Sequence, residues 1–171
     1  YDTKFSPLNS AIQQFAAGDQ SRAEFFAQRL FHLEINTYSE INSIIQGKLV
    51  GSVSCFDFKR SWLVVGSDIG EVLEIDMISK KPNKITCFKN QIVLTIDISE
   101  DGNYWVAGSS GGEVYVKKSG KMAKRHYTKL SEYKPIIQIQ CYQQGTALYC
   151  ILITKTRVFN LHLIDFALTF E

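Results

Sequence analysis

The chain has 171 residues, 45% hydrophobic and 21% charged, which is enough apolar sequence for one sizeable core and excludes a disordered tract. A formal charge of +2 gives no global pull toward nucleic acid or anionic lipid. Cys55, Cys87, Cys141 and Cys150 include no C-x-x-C pair and lie in apolar segments, so they read as buried free thiols of a reducing compartment.

The first stretch is helical in pattern. Ser6-Pro7 reads as a helix start, with Ser as N-cap and Pro at the first helical position, and Ala11, Ile12, Phe15 and Ala16 then share one face. Gly18-Asp19 interrupts it. A second helix is expected from Gln20 to Leu33, with Phe25, Phe26, Leu30 and Leu33 on its apolar side. A third is expected over Ser39 to Gln46, carrying Ile41, Ile44 and Ile45, with Gly47 as its stop. Residues 1–47 thus read as a helical lead-in to a β region over 48–171. The start at Tyr1 and the apolar run from Leu161 to Phe170 read as the ends of a piece of something longer. No signal peptide is visible, and no apolar run is long enough to span a bilayer.

From Lys48 the pattern turns to strands. Val53 to Phe58, Trp62 to Ser67, Glu71 to Ile75 and Ile85 to Phe88 are the first four, with Asp68-Ile69-Gly70 as a turn. The pattern then recurs. Val64-Val65-Gly66-Ser67 and Gly70-Glu71-Val72 are matched by Val106-Ala107-Gly108-Ser109 and Gly112-Glu113-Val114, 42 residues on. Phe56-Asp57-Phe58 is matched by Ile96-Asp97-Ile98 at an offset of 40, because the next turn, Ser99 to Asn103, is two residues longer. A third copy rests on spacing: Ile136 to Gln140, Ala147 to Ile153 and Arg157 to Leu163, with a turn at Thr154-Lys155-Thr156 that has lost its glycines.

Four short strands at a period of roughly 40–45 residues are the signature of a β-propeller blade, which cannot bury both its faces alone and must stack on neighbours. Mainly β architecture is therefore expected: a partial propeller of three blades near 48–90, 91–132 and 133–171, preceded by short helices. Gly66 and Gly108 are expected where backbones approach closely, and Gly70 and Gly112 where a turn needs positive φ. Three blades do not close a ring, so further blades or a partner are expected to complete the arc.

Residues Val93 to Ser109 resemble a WD40 repeat, although Ile75-Asp76 and Val116-Lys117 stand where the Trp-Asp dipeptide would be. A finer resemblance runs from Phe25 to Leu163. An apolar helical lead-in and Tyr38-Ser39-Glu40 precede Cys55-Phe56, Trp62 and the run Val65-Gly66-Ser67-x-x-Gly70-x-Val72-Leu73. This order is similar to the start of the N-terminal propeller in the vacuolar protein sorting-associated protein eight family, the large subunits of the CORVET endosomal tethering complex. The resemblance implies a vesicle-tethering subunit that binds other subunits and a Rab GTPase, in the cytoplasm and peripheral on endosomal membranes. It carries over no Rab-contacting residue.

Motifs for chemistry are weak. Gly-Ser-Ser-Gly-Gly at 108–112 lacks the Gly-Lys-Ser/Thr ending and precedes a strand, so it reads as a blade turn and not a phosphate loop; Gly120-Lys121-Met122 fails likewise. His32, His126 and His162 lie in unrelated segments without a second ligand at close spacing. No metal, cofactor or catalytic set is expected, and no enzyme. Asp57 and Asp97 recur at one place in two repeats, which favours a backbone hydrogen bond over an acid–base pair. One basic concentration remains, Lys117 to Lys129, with Lys117, Lys118, Lys121, Lys124 and Arg125 as candidate contacts to a lipid headgroup or an acidic partner, or simply a solvated hairpin. Nucleic acid is not expected, because aromatics are not interleaved as stacking platforms. The Phe-Arg-Arg-Gly motif of autophagy-type lipid propellers is absent. Three roles stay open: a Rab-binding tethering subunit, a generic WD40 scaffold such as a ubiquitin-ligase receptor or ciliary-transport subunit, and a phosphoinositide-binding propeller.

Overall fold

The computed structural model describes residues 39–120, 125–130, 133–145, 147–164 and 167–170, and side chains up to residue 163. The two helices expected before residue 39 lie outside these residues. The chain divides into two compact units, Tyr1–Ile44 and Ile45–Glu171. Helix α1 covers 39–48 and runs through Gly47, so that glycine is not its stop; the Leu49 N–H still donates to the Ile45 carbonyl (2.8 Å).

The second unit is built from three four-stranded antiparallel sheets. Blade 1 holds β1 (Val53–Lys59), β2 (Trp62–Ser67), β3 (Glu71–Asp76) and β4 (Lys81–Thr86) in that order. Blade 2 holds β5 (Val93–Ile98), β6 (Tyr104–Ser109), β7 (Glu113–Lys118) and β8 (Arg125–Lys129). Blade 3 holds β9 (Ile136–Gln144), β10 (Ala147–Thr154), β11 (Val158–Ile164) and β12 (Ala167–Phe170). The partial propeller expected from the repeat is the observed architecture.

Each sheet is a meander of successive antiparallel strands, and two of the turns among the described residues are held by aspartates. Asp76 accepts the Ile78 N–H (3.0 Å) and the Ser79 hydroxyl (2.7 Å) after β3. Asp101 does the same after β5, accepting the Ser99 hydroxyl (2.6 Å) and the Asn103 N–H (3.0 Å). The fourth strand of blade 1 is Lys81–Thr86, not Ile85 to Phe88. Phe88 lies past the strand, where its N–H is held by the Gly70 carbonyl (3.1 Å).

A bulge at the same place in β1, β5 and β9 aligns the blades. Beside it Ser67 faces Val53, Ser109 faces Val93 and Thr154 faces Ile136. All three hydroxyls then accept a backbone N–H at the start of the next strand or just before it: Glu71 (3.0 Å), Glu113 (2.9 Å) and Arg157 (3.1 Å). The third repeat, read in the sequence on spacing alone, therefore shares both the bulge and its hydroxyl anchor. It reaches Arg157 one residue sooner, which is how its turn dispenses with glycine.

The cores lie between blades. One joins Val64, Val72 and Phe88 to Val93, Ile96, Ile98, Trp105, Ala107 and Tyr115. The other joins Val106, Val114 and Val116 to Ile136, Ile139, Cys141, Leu148, Cys150, Leu152 and Leu161. Strands β6 and β7 of blade 2 thus send alternate side chains to opposite seams, Trp105, Ala107 and Tyr115 to one and Val106, Val114 and Val116 to the other, as period-two geometry requires.

Candidate functional site

The recurrent glycines fall into two kinds, and Gly66 and Gly108 meet side chains and not another backbone. Gly66 and Gly108 sit directly under the first strand of the following blade. A Cβ on Gly66 would lie 2.7 Å from Val93 Cγ1, and one on Gly108 2.8 Å from Ile136 Cγ2. Gly70 has φ +87°, and a Cβ there would meet the Phe88 carbonyl oxygen in the connection to blade 2. Gly112, at φ +78°, abuts Lys134 in the connection to blade 3.

The repeated aspartates also serve the seams. Asp57 Oδ2 accepts the Ile98 N–H (2.8 Å), and Asp97 Oδ2 accepts the Cys141 N–H. Each carboxylate on one innermost strand thereby holds the backbone of the next. Lys59 adds a second tie, donating to Asp97 Oδ1 (2.8 Å) and the Ile98 carbonyl (2.7 Å). Burial pushes the Asp57 carboxyl above its usual range against the pull of the Ile98 N–H, with the nearby Asp97 charge adding to the rise.

The basic hairpin is divided by the fold. Lys117 and Lys118 end β7 and Arg125 opens β8, with Lys117 opposite Arg125. Lys117 is not a surface cation: its side chain is only 5% exposed and its Nζ lies 2.7 Å from Glu74 Oε2 in the neighbouring blade. Contrary to expectation it cannot contact a lipid headgroup or an acidic partner, because that amine is consumed by a buried carboxylate and by the Lys118 and Gly120 carbonyls. Lys118 and Arg125 are exposed; Lys121 and Lys124 lie outside the described residues. Lys129 pairs with Glu113 (3.3 Å) and lies over the Tyr133 ring at 4.2 Å.

Glu74 is the principal residue that the sequence reading missed. It is fully buried and accepts four hydrogen bonds: Asn83 Nδ2 (3.1 Å), Trp105 Nε1 (3.1 Å), Lys117 Nζ and the Gly120 N–H (2.9 Å). Three of the four come from blade 2. Such a carboxylate is tolerated inside a protein only when it is paired and fully bonded. The available signal was that Glu74 interrupts an apolar strand, between Leu73 and Ile75. Register also equates Ile75 (opposite Leu63) with Lys117 (opposite Trp105), so Lys117-Lys118, not Val116-Lys117, matches Ile75-Asp76.

Other candidates stay apart. His162 packs edge-on against Tyr149 at 4.7 Å, and its Nε2 has no hydrogen-bond partner, so it is a packing histidine without a satisfied second nitrogen. His32 lies outside the described residues. Among the described residues no three His, Cys, Asp or Glu side chains gather to hold a metal, and no helix is long and apolar enough to cross a membrane. The four thiols are free, and burial raises Cys55 to about 11 despite bonds from Ser54 and Gly66 that lower it.

Single positions at the two ends of the arc differ from their seam counterparts, although Leu63, Val65, Leu73 and Ile75, on the Phe58 side of blade 1, are buried. Val93, Ile96 and Ile98 of β5 are at most 7% exposed, whereas their counterparts Val53, Phe56 and Phe58 of β1 are 50%, 67% and 53% exposed. At the other end Ile153 takes the place of Gly66 and Gly108, and Gln140, which is exposed, takes that of Asp57 and Asp97.

No protein-family model and no curated protein matches the chain. Solved structures do. The Myceliophteria thermophila Cps50 (Swd1) β-propeller domain superposes with a TM-score of 0.57 at 15% identity, over 72% of this chain and 39% of that one. Kluyveromyces lactis Hsv2 gives a TM-score of 0.50 at 11% identity, over 72% of this chain and 46% of that one. The chain thus spans less than half the length of either neighbour, and what it shares with the first is the fold of a β-propeller.

Proposed function

We propose that this arc is the blade-bearing part of a protein-interaction scaffold, a subunit of an endosomal or vacuolar tethering assembly that engages a Rab GTPase. The observation that carries the scaffold reading is the contrast between β1 and β5. Val53, Phe56 and Phe58 repeat the residue types that blade 2 buries against its neighbour, yet stand exposed. Such a row is an apolar surface in want of a partner element. The recurrent carboxylates offer no competing chemistry, since Asp57 and Asp97 are spent on backbone N–H groups and Glu74 on Lys117. The tethering assignment rests further on the likeness of the Tyr38 to Leu73 order to that family's propeller, a fold-level analogy. It is tested by pulldown with Rab proteins loaded with GTP or GDP: retention of the GTP form alone supports it, and equal or no retention of both overturns it.

A second reading, binding of phosphoinositide by the β7–β8 hairpin, is favoured by the exposure of Lys118 and Arg125 on adjoining strands. Flotation with phosphoinositide-containing liposomes tests it. Replacing Lys118, Lys121, Lys124 and Arg125 by Ala should abolish flotation, and unchanged flotation sinks the idea.

A further inference from the structure

Two of the four cysteines face each other across blade 3. Cys141 on β9 is the register partner of Cys150 on β10, and their sulfurs are 3.4 Å apart. The Cys141 N–H points away from β10, to Asp97 in blade 2. In an antiparallel ladder a residue whose N–H points outward belongs to a non-hydrogen-bonded pair, the closer of the two kinds, with Cα atoms about 4.5 Å apart. That spacing lies within the range a disulfide bridges, about 4.4–6.8 Å. Both side chains are buried on the seam-facing side of the sheet, among Val116, Ile139 and Leu161.

We infer that Cys141 and Cys150 form a reversible intrablade disulfide, an oxidation site built into the seam between blades 2 and 3. The oxidant is a small-molecule disulfide. A thiolate of the pair attacks one of its sulfurs and releases one thiol. The second cysteine then displaces the other thiol, so the pair loses two electrons and two protons and the oxidant yields two thiols. The hydrogen bond between the sulfurs and burial both hold the Cys141 thiol well above its ordinary range, so attack is slow and the equilibrium, not the rate, reports the geometry.

The test equilibrates the 171-residue chain with glutathione buffers of increasing oxidised-to-reduced ratio, blocks free thiols and maps the peptides by mass. The expected product is a single cross-link between Cys141 and Cys150, lighter by two hydrogens. It is retained in Cys55→Ser/Cys87→Ser and absent from Cys141→Ser and Cys150→Ser. The native pair should oxidise at a ratio at least about tenfold lower than the same pair in guanidinium, because the fold holds the sulfurs together. An equal or higher ratio in the native chain, or mixed glutathione adducts without the cross-link, overturns the inference.

Discussion

At the seam between blades 1 and 2, Glu74 meets Trp105 and Lys117; at the equivalent register between blades 2 and 3, Val116 meets Cys150 and Leu161. The backbone ties are the same in both seams: a glycine beneath the next innermost strand and an aspartate on its N–H. Blade stacking is therefore set by backbone-directed groups that repeat, while the space between can be filled by a buried ion pair or by hydrocarbon. The ion-paired seam is the more fragile to single changes, because a buried charge without its partner keeps its full desolvation cost.

The largest effect should follow from breaking that pair. Lys117→Leu leaves Glu74 buried without its cation and should cost about 3–5 kcal/mol in urea unfolding. The double variant Glu74→Val/Lys117→Leu brings in residues of the kinds found in the apolar seam. It should cost clearly less than Lys117→Leu alone, although Trp105 Nε1 then lacks its acceptor. A double variant as damaged as the single one would mean that the two seams are not interchangeable.

Next in size is the glycine seat. Gly108→Val drives a side chain into Ile136 and should lose about 1–3 kcal/mol. Ile153→Val, at the equivalent place on the face that no blade covers, should lose under about 1 kcal/mol. Equal losses would remove the distinction between seam and open face. A similar contrast applies to the aspartate tie: Asp97→Ala orphans the Cys141 N–H and should cost about 1–3 kcal/mol. Gln140→Ala, exposed, should stay within about 0.5 kcal/mol of the parent.

The smallest effect is one of pH. Because the Asp57 carboxyl is raised in the folded chain, the folded state binds its proton more readily than the unfolded one. Its contribution is complete below the usual carboxylate value of about 4 and is lost as pH rises through the raised value. Unfolding measured from pH about 4 to about 7 should show wild type losing stability relative to Asp57→Asn. The opposite slope would refute the burial argument for this seam.

Inner and outer strands were not equally legible. Trp62 to Ser67 and Tyr104 to Ser109 are buried on both faces, so they read as continuous apolar runs. The outermost strands, Lys81–Thr86 and Arg125–Lys129, carry lysines, a proline and alternating exposure, as edge strands do, and their hydrophobic signal is too weak to bound them. The candidate basic cluster failed at one member for a related reason. Lys117 sits on a strand position whose side chain points into a seam, and alternation along a short hairpin gives no warning of a carboxylate in another blade.

By itself the sequence determined the repeat, its period, the glycines and aspartates that recur in it, and hence the blade fold, because those features act on the local backbone and on the immediately following strand. Only the tertiary structure decided that Glu74 and Lys117 are partners, that Cys141 faces Cys150, and that β1 shows an exposed apolar row. Each of these depends on which strand lies opposite or which blade lies alongside, a matter of register and stacking over some tens of residues of separation that side-chain periodicity does not encode.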